Sequence, residues 1–385
     1  MKRLLATLLV AGTLTVSAEP FVPKDDAEIV QRLPYRVDAT ERQRRAALAR
    51  DPGQLPLAVA AARAALDRAH LHGDPRELGE AQAALAPWWT RTDAPPEAVL
   101  LRARVLQARH EFDTAQADLG GLLARSDLEP ELRAQALLDA AALHQLRAEL
   151  PEARARCVQL QPLAALPATA CLAELASLSP GGGAPQAAQT LARLSPGRSV
   201  SPWLAVMRAE LAERLGDETA APALYRVALA GQEEVYTRAA YADWLLARGR
   251  AAEALTLLER SPDAEADGLL LRRAIALRVL GRDASALAAQ LRERLAAADR
   301  REPGRHAREQ ARFALDVQAQ PREALRLAQL NWSFQREPAD ALLLLRTALA
   351  AGRSGDAARQ DLARFLREQG WQDARLSTLD RSFAS

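Results

Sequence analysis

Five histidines, two cysteines and the carboxylates are the groups in this 385-residue chain that could do chemistry. They do not assemble into a recognisable constellation. His70 and His72 are two residues apart, which on a helix places them on different faces. His110, His144 and His306 are isolated, and no His-Glu-x-x-His run is present for zinc hydrolysis. Two cysteines, Cys157 and Cys171, cannot form a four-ligand zinc site unaided. The glycines Gly181, Gly182 and Gly183 are not followed by the Lys and Ser/Thr of a phosphate loop, and no strand precedes them. No Gly-x-Ser-x-Gly elbow occurs. Glu233-Glu234 reads as solvated loop charge. The expectation is a protein with no catalytic residues, no metal and no cofactor.

The cysteines have a second use. The apolar pattern puts Cys157 near the end of one helix and Cys171 near the start of the next, with Pro162 and Pro167 in the turn between them. Both lie equally far from the centre of that turn, and such residues face each other in an antiparallel helix pair. A disulfide closing this short loop is worth about 3 kcal/mol. The alternative is a pair of buried thiols acting as small hydrophobes.

An oxidising compartment fits the start of the chain. Met1-Lys2-Arg3 is followed by an apolar run from Leu4 to Val16 and then by Ser17-Ala18. This is the charged, apolar and small-residue order of a signal peptide over residues 1–18, with cleavage after Ala18. The run is shorter than the ~20 residues of a spanning helix, and no later segment approaches that length. No Cys follows the cleavage point, so no lipid anchor is expected. The mature protein is expected in the periplasm, with no transmembrane segment. The full chain carries 51 basic and 49 acidic residues, for a net charge of +2. Lys2 and Arg3 leave with the signal peptide, so the mature chain is neutral. A neutral chain with dispersed charge does not suit nucleic acid, whose binding needs a basic stripe.

Positioning elements are helices. Aromatic residues make up 4% of the chain, so the core must be built from Ala and Leu. No stretch of Val, Ile and Thr alternates with period two, so strands are not expected. A repeat is visible instead. Gly216, Gly249 and Gly281 recur with 33 and 32 residues between them. Each is preceded by a small residue (Ala209, Ala242, Ala274) and followed by an Ala (Ala221, Ala254, Ala286). Weaker copies carry Ala103 with Ala115, Ala141 with Ala153, Ala176 with Ala188, then Ala324 and either Ala357 or Ala358. Leu57 to Pro87 reads as one further hairpin turning at Gly73-Asp74-Pro75.

This pattern resembles the tetratricopeptide repeat, a helix–turn–helix unit of about 34 residues. The resemblance implies an all-α, right-handed α-solenoid of about eight to nine hairpins over residues 48–375. Residues 19–47 are expected as an extended lead-in with a short helix near Asp26–Arg32, whose Ile29, Val30 and Leu33 cap the first repeat. Residues 376–385 are expected as a C-terminal tail. The segment Asn331 to Asp340 is less generic and is similar to a stretch in exported bacterial tetratricopeptide proteins, without bringing an activity.

The resemblance further implies that first helices line a concave groove. Carried onto this chain, the groove residues are Trp203, Glu210, Arg214, Tyr236, Asp243 and Arg278, with Arg104 and Gln107 from an earlier copy. The lining mixes aromatic, acidic and basic side chains. It lacks the Lys and Asn that clamp a terminal carboxylate in one chaperone subclass, since Asn331 is the single Asn and no Lys follows Lys24. The function expected is a non-catalytic periplasmic scaffold holding a segment of another exported or membrane protein. The alternative is a permanent accessory subunit of an envelope secretion or polysaccharide-export assembly.

Overall fold

A computed structural model describes residue 25 and residues 39–179, 183–194 and 201–383. The signal peptide, the helix expected near Asp26–Arg32 with its apolar face, and Gly181-Gly182 lie outside the described residues. The described residues are helical, without strands. Helix α1 spans Ala39–Arg50. Nine hairpins follow. They are α2 (Leu55–His72) with α3 (Arg76–Ala84), α4 (Pro96–Ala108) with α5 (Phe112–Leu123), and α6 (Pro130–Leu146) with α7 (Leu150–Leu160). Next come α8 (Ala165–Ser177) with α9 (Ala184–Arg193), α10 (Pro202–Leu215) with α11 (Ala220–Gly231), and α12 (Val235–Ala247) with α13 (Ala251–Glu259). The last three are α14 (Asp267–Val279) with α15 (Ser285–Arg301), α16 (Ala307–Arg312) with α17 (Pro321–Trp332), and α18 (Pro338–Ala350) with α19 (Asp356–Gln369). A short α20 (Ala374–Leu379) closes the series.

Small residues set the approach of paired helices. Ala103, Ala141, Ala209, Ala242 and Ala274 on first helices are at most 1% exposed, and Ala115, Ala153, Ala221, Ala254 and Ala324 on second helices are 0% exposed. Leucines such as Leu119, Leu160, Leu211 and Leu258 fill the space around them. A single hairpin cannot cover this apolar face, so each stacks on the next. Two repeat assignments shift. Ala286 is exposed, and the buried stripe of α15 runs instead through Ala284 and Leu291, with Leu287 and Ala288 partly buried between them. Ala187, rather than Ala188, is the more deeply buried residue of α9.

Two expected boundaries also move. Residues 39–47, expected in the extended lead-in, are helical as part of α1. The boundary expected at 375/376 falls inside α20, whose Leu376 is buried against the last hairpins.

Among the described residues, eight hairpin turns pass through a left-handed residue. Gly73, Gly216, Gly249, Gly281 and Gly352 take it freely, but His110, Ala148 and Ala319 adopt φ of 58°, 60° and 55°. A Cβ in this region costs roughly 1–2 kcal/mol. Ala148→Gly and Ala319→Gly are therefore each expected to stabilise the protein by about 0.5–1 kcal/mol after the entropic cost of glycine. Chemical denaturation of the two variants checks this.

The hairpins do not form an open arc. The α2–α3 turn meets the start of α12 and the connection before α14. A Cβ built on Gly73 would stand 2.9 Å from Val235 Cγ1 and 3.6 Å from Ala266 Cβ. The Arg305 guanidinium donates to the His110 carbonyl oxygen in the α4–α5 turn. The Arg336 amide donates to the Leu146 carbonyl oxygen at the end of α6, at 2.8 Å. Arg375 of α20 reaches Glu213 of α10 at 3.0 Å. One apolar cluster joins α6, α7 and α8 to α16–α20 through Leu150, Cys157, Leu175, Leu325, Leu344 and Leu376. Hairpin turns of the early repeats thus rest on elements five or six hairpins farther along, and a second superhelical turn sits on the first.

Candidate protein-binding face

Trp203 and Tyr236 occupy the first turns of α10 and α12, at equivalent places in adjacent hairpins. They are 45% and 52% exposed. Where side chains are described, they are the Trp, Tyr and Phe residues left open to solvent. Pro202, the first residue of α10, starts that helix without an unsatisfied N–H and places Trp203 one residue on. The Tyr236 hydroxyl donates to Glu210 Oε1 at 2.5 Å, tying α12 to α10.

Other expected groove residues are held by internal partners. Arg214 is buried; its Nη2 donates to Glu174 Oε1 at 2.9 Å and to Ser177 Oγ at 2.8 Å, both on α8. Asp243 Oδ2 accepts from Arg272 Nη2 at 2.6 Å and Arg312 Nη1 at 2.7 Å. Arg104 pairs with Asp139 of α6 at 2.6 Å. Gln107 is half-buried and Arg278 is exposed. The structure therefore joins Glu210 and Tyr236 across α10 and α12, leaves Trp203 exposed at the start of α10, puts Arg214 and Asp243 into ion pairs between helices, and leaves Arg104 and Gln107 on the separate α4. Cys157 and Cys171 are joined as a disulfide with Cα atoms 6.0 Å apart.

Sequence reasoning missed the contribution of the last hairpins. Arg308 of α16 binds Glu337 and Asp340 at 2.6 Å each. Asp340 also accepts from Asn331 Nδ2 at 2.7 Å and from the Glu337 amide at 2.9 Å, closing a capping box at the start of α18. Gln335 donates to Glu337 at 2.9 Å. The unusual Asn331–Asp340 segment is therefore the polar joint between α17 and α18. Its composition was the available signal, but nothing local showed that it would face α10 and α12.

The electrostatics follow from this enclosure. Loss of hydration pushes the Glu210 carboxyl up to about 7; the Tyr236 hydrogen bond opposes this, and Glu174, Glu213 and Glu337 add to it. Burial also raises Glu213, against Arg375 and Tyr225. Burial opposes ionisation of Asp243 as well, but Arg272 and Arg312 hold it down to about 2. Because folding raises the Glu210 value above 4.5, its contribution is fully present below pH 4.5 and is lost as pH rises through about 7. Glu210→Gln is thus expected to be more stable than wild type at pH 8, by on the order of 1–2 kcal/mol, and not at pH 4.5. Urea titrations at the two pH values measure the difference.

Among the described residues, no group of three or more His, Cys, Asp and Glu side chains could hold a metal ion. An open cavity of about 420 Å³ lies between α15 and α17, lined by Leu295, Phe313, Leu327, Asp299 and Arg326. No described helix is long and apolar enough to cross a membrane.

No protein-family model matches the chain, and no curated protein matches it in sequence. Among solved structures it is similar to a tetratricopeptide repeat protein from Parabacteroides merdae, at 15% identity over 66% of this chain and 98% of that one, with a TM-score of 0.38. It is similar to a human IFIT1 dimer with PPP-AAAA at 14% identity, 80% and 82% coverage and a TM-score of 0.40. The P58(IPK) TPR domain matches at 14% identity, 82% and 94% coverage and a TM-score of 0.21. Nine stacked helix hairpins, with buried alanines at recurring positions and left-handed turn residues, make this chain a tetratricopeptide-like α-solenoid.

Proposed function

We propose that this protein is a non-catalytic interaction scaffold of the periplasm that holds a segment of another exported or membrane protein against α10 and α12. The observation that carries the reading is the exposed pair Trp203 and Tyr236 on adjacent first helices, in a chain whose other described Trp and Tyr side chains are at least partly buried. Aromatic side chains of this kind supply most of the energy at protein interfaces. Glu210 beside Tyr236 adds an acceptor for a donor on the partner. Arg214 and Asp243 act indirectly, by fixing α8, α10, α12, α14 and α16 relative to one another.

A photo-crosslinking residue at position 236, with a control at Val227 on α11, tests the reading in cells. Adducts to one exported or membrane protein from position 236 alone are expected. Adducts from position 227 alone would overturn the assignment of the face. With the partner in hand, Trp203→Ala with Tyr236→Ala is expected to weaken binding by about 2 kcal/mol or more.

A further inference from the structure

The contact between the first hairpin and the sixth is closed by two histidine–carboxylate pairs. His70 Nε2 lies 2.6 Å from Glu234 Oε1, and His72 Nδ1 lies 3.0 Å from Asp263 Oδ1. The carboxylates are buried, Glu234 at 9% exposure and Asp263 at 4%. Both histidines sit in the last turn of α2, where the helix end favours positive charge. Glu234 and Asp263 come from the loops before α12 and α14. Between the pairs, the Gly73 backbone rests on Val235.

We propose that this seam is a pH-sensitive latch, held shut by the His70 imidazolium on Glu234 beside the His72–Asp263 hydrogen bond, and released as the His70 ring loses its proton. A buried carboxylate facing an imidazolium is neutralised, whereas the same carboxylate facing a neutral ring keeps a hydrogen bond but loses its counter-charge. The other charged groups at the seam are Asp67 and Asp74 on the α2 side, Arg76 bound to Asp74, and Arg238 and Glu233 on the α12 side. Asp67 adds to the pull on His70, and Arg238 senses Asp263. The His70 side chain is 71% exposed and its Glu234 partner 10%, and the bond to Glu234 raises the His70 value. Closure is therefore favoured in acid and is lost as pH rises through that raised value.

The neighbouring seam does not share the switch. Burial lowers the His110 value, with Arg305, Arg308 and His306 around it lowering it further and Glu309 opposing them. The Arg305 guanidinium and the Arg336 backbone amide there bond to uncharged backbone carbonyls. Opening is thus confined to α2, its turn and the first turn of α12. The latch stands whether or not Tyr236 anchors a partner.

Hydrogen exchange of the full chain, corrected for intrinsic rates, reads the latch directly. Between pH 6 and pH 8, amides within 66–74 and 232–240 are expected to exchange about fivefold faster at the higher pH, while those of 141–148 do not change. In His70→Gln with His72→Gln, exchange of the two seam segments should be fast at both pH values. Glu234→Gln with Asp263→Asn keeps the hydrogen-bonding shapes and should likewise abolish the pH response. Wild-type exchange that is the same at both pH values would overturn the latch. So would a pH response that survives in either pair of variants.

Discussion

Asp243→Ala is expected to destabilise the protein by about 1–3 kcal/mol, because it leaves two part-buried guanidinium groups without their shared counter-charge. Arg272 comes from α14 and Arg312 from α16, so one carboxylate on α12 holds three successive first helices. Asp243→Asn keeps the shape and one acceptor, and should recover only part of the loss. The pH dependence supplies an internal check. Folding lowers the Asp243 value from 3.8 to about 2, so its contribution is present above pH 3.8 and is lost as pH falls through 2. Urea denaturation should therefore show the gap between wild type and Asp243→Ala at pH 7 narrowing toward pH 2. A gap below 1 kcal/mol at pH 7 would mean that the arginines find other partners.

The second large effect concerns the Cys157–Cys171 disulfide. It closes a loop of 14 residues between α7 and α8, and its loss is expected to cost about 3 kcal/mol. Both cysteines belong to the apolar cluster that joins α6–α8 to α16–α20. Reduction should therefore loosen the last hairpins as well as the third and fourth. Cys157→Ala with Cys171→Ala is expected to match the reduced protein in melting temperature and to be insensitive to dithiothreitol. Equal melting of oxidised and reduced wild type would contradict the expected gain.

Local sequence carried much of the hairpin architecture. A small residue is demanded wherever two helices approach closely, so Ala209, Ala242, Ala274, Ala221 and Ala254 mark their crossings directly. The phase is less secure than the period, and Ala286 and Ala188 lie one position off the buried stripe. Helix α1 escaped notice because its sequence has little apolar period; its one buried residue is Glu41, held by Arg44, Arg45 and Arg68. Of the candidate face, Trp203 and Tyr236 were legible because they share one repeat position, six before the small residue, and Glu210 because it directly follows Ala209. The involvement of Arg308, Arg312, Glu337 and Arg375 was not. It depends on how tightly the array winds, and winding is the sum of small rotations between hairpins rather than a property of any one of them.

That winding changes how the molecule holds together. Repeat arrays ordinarily behave as one-dimensional chains in which each unit feels only its neighbours, so they fray from the ends and tolerate shortening. Here Gly73 meets Val235, Leu146 meets Arg336, and Glu213 meets Arg375, each across a long stretch of sequence. These bonds link the ends of the array to its middle, so removing a terminal unit uncovers surface on a unit far from it. Such coupling turns a series of separable modules into a single cooperative body. Its folding must wait for distant segments to find each other, which makes it slower than the local simplicity of its hairpins suggests.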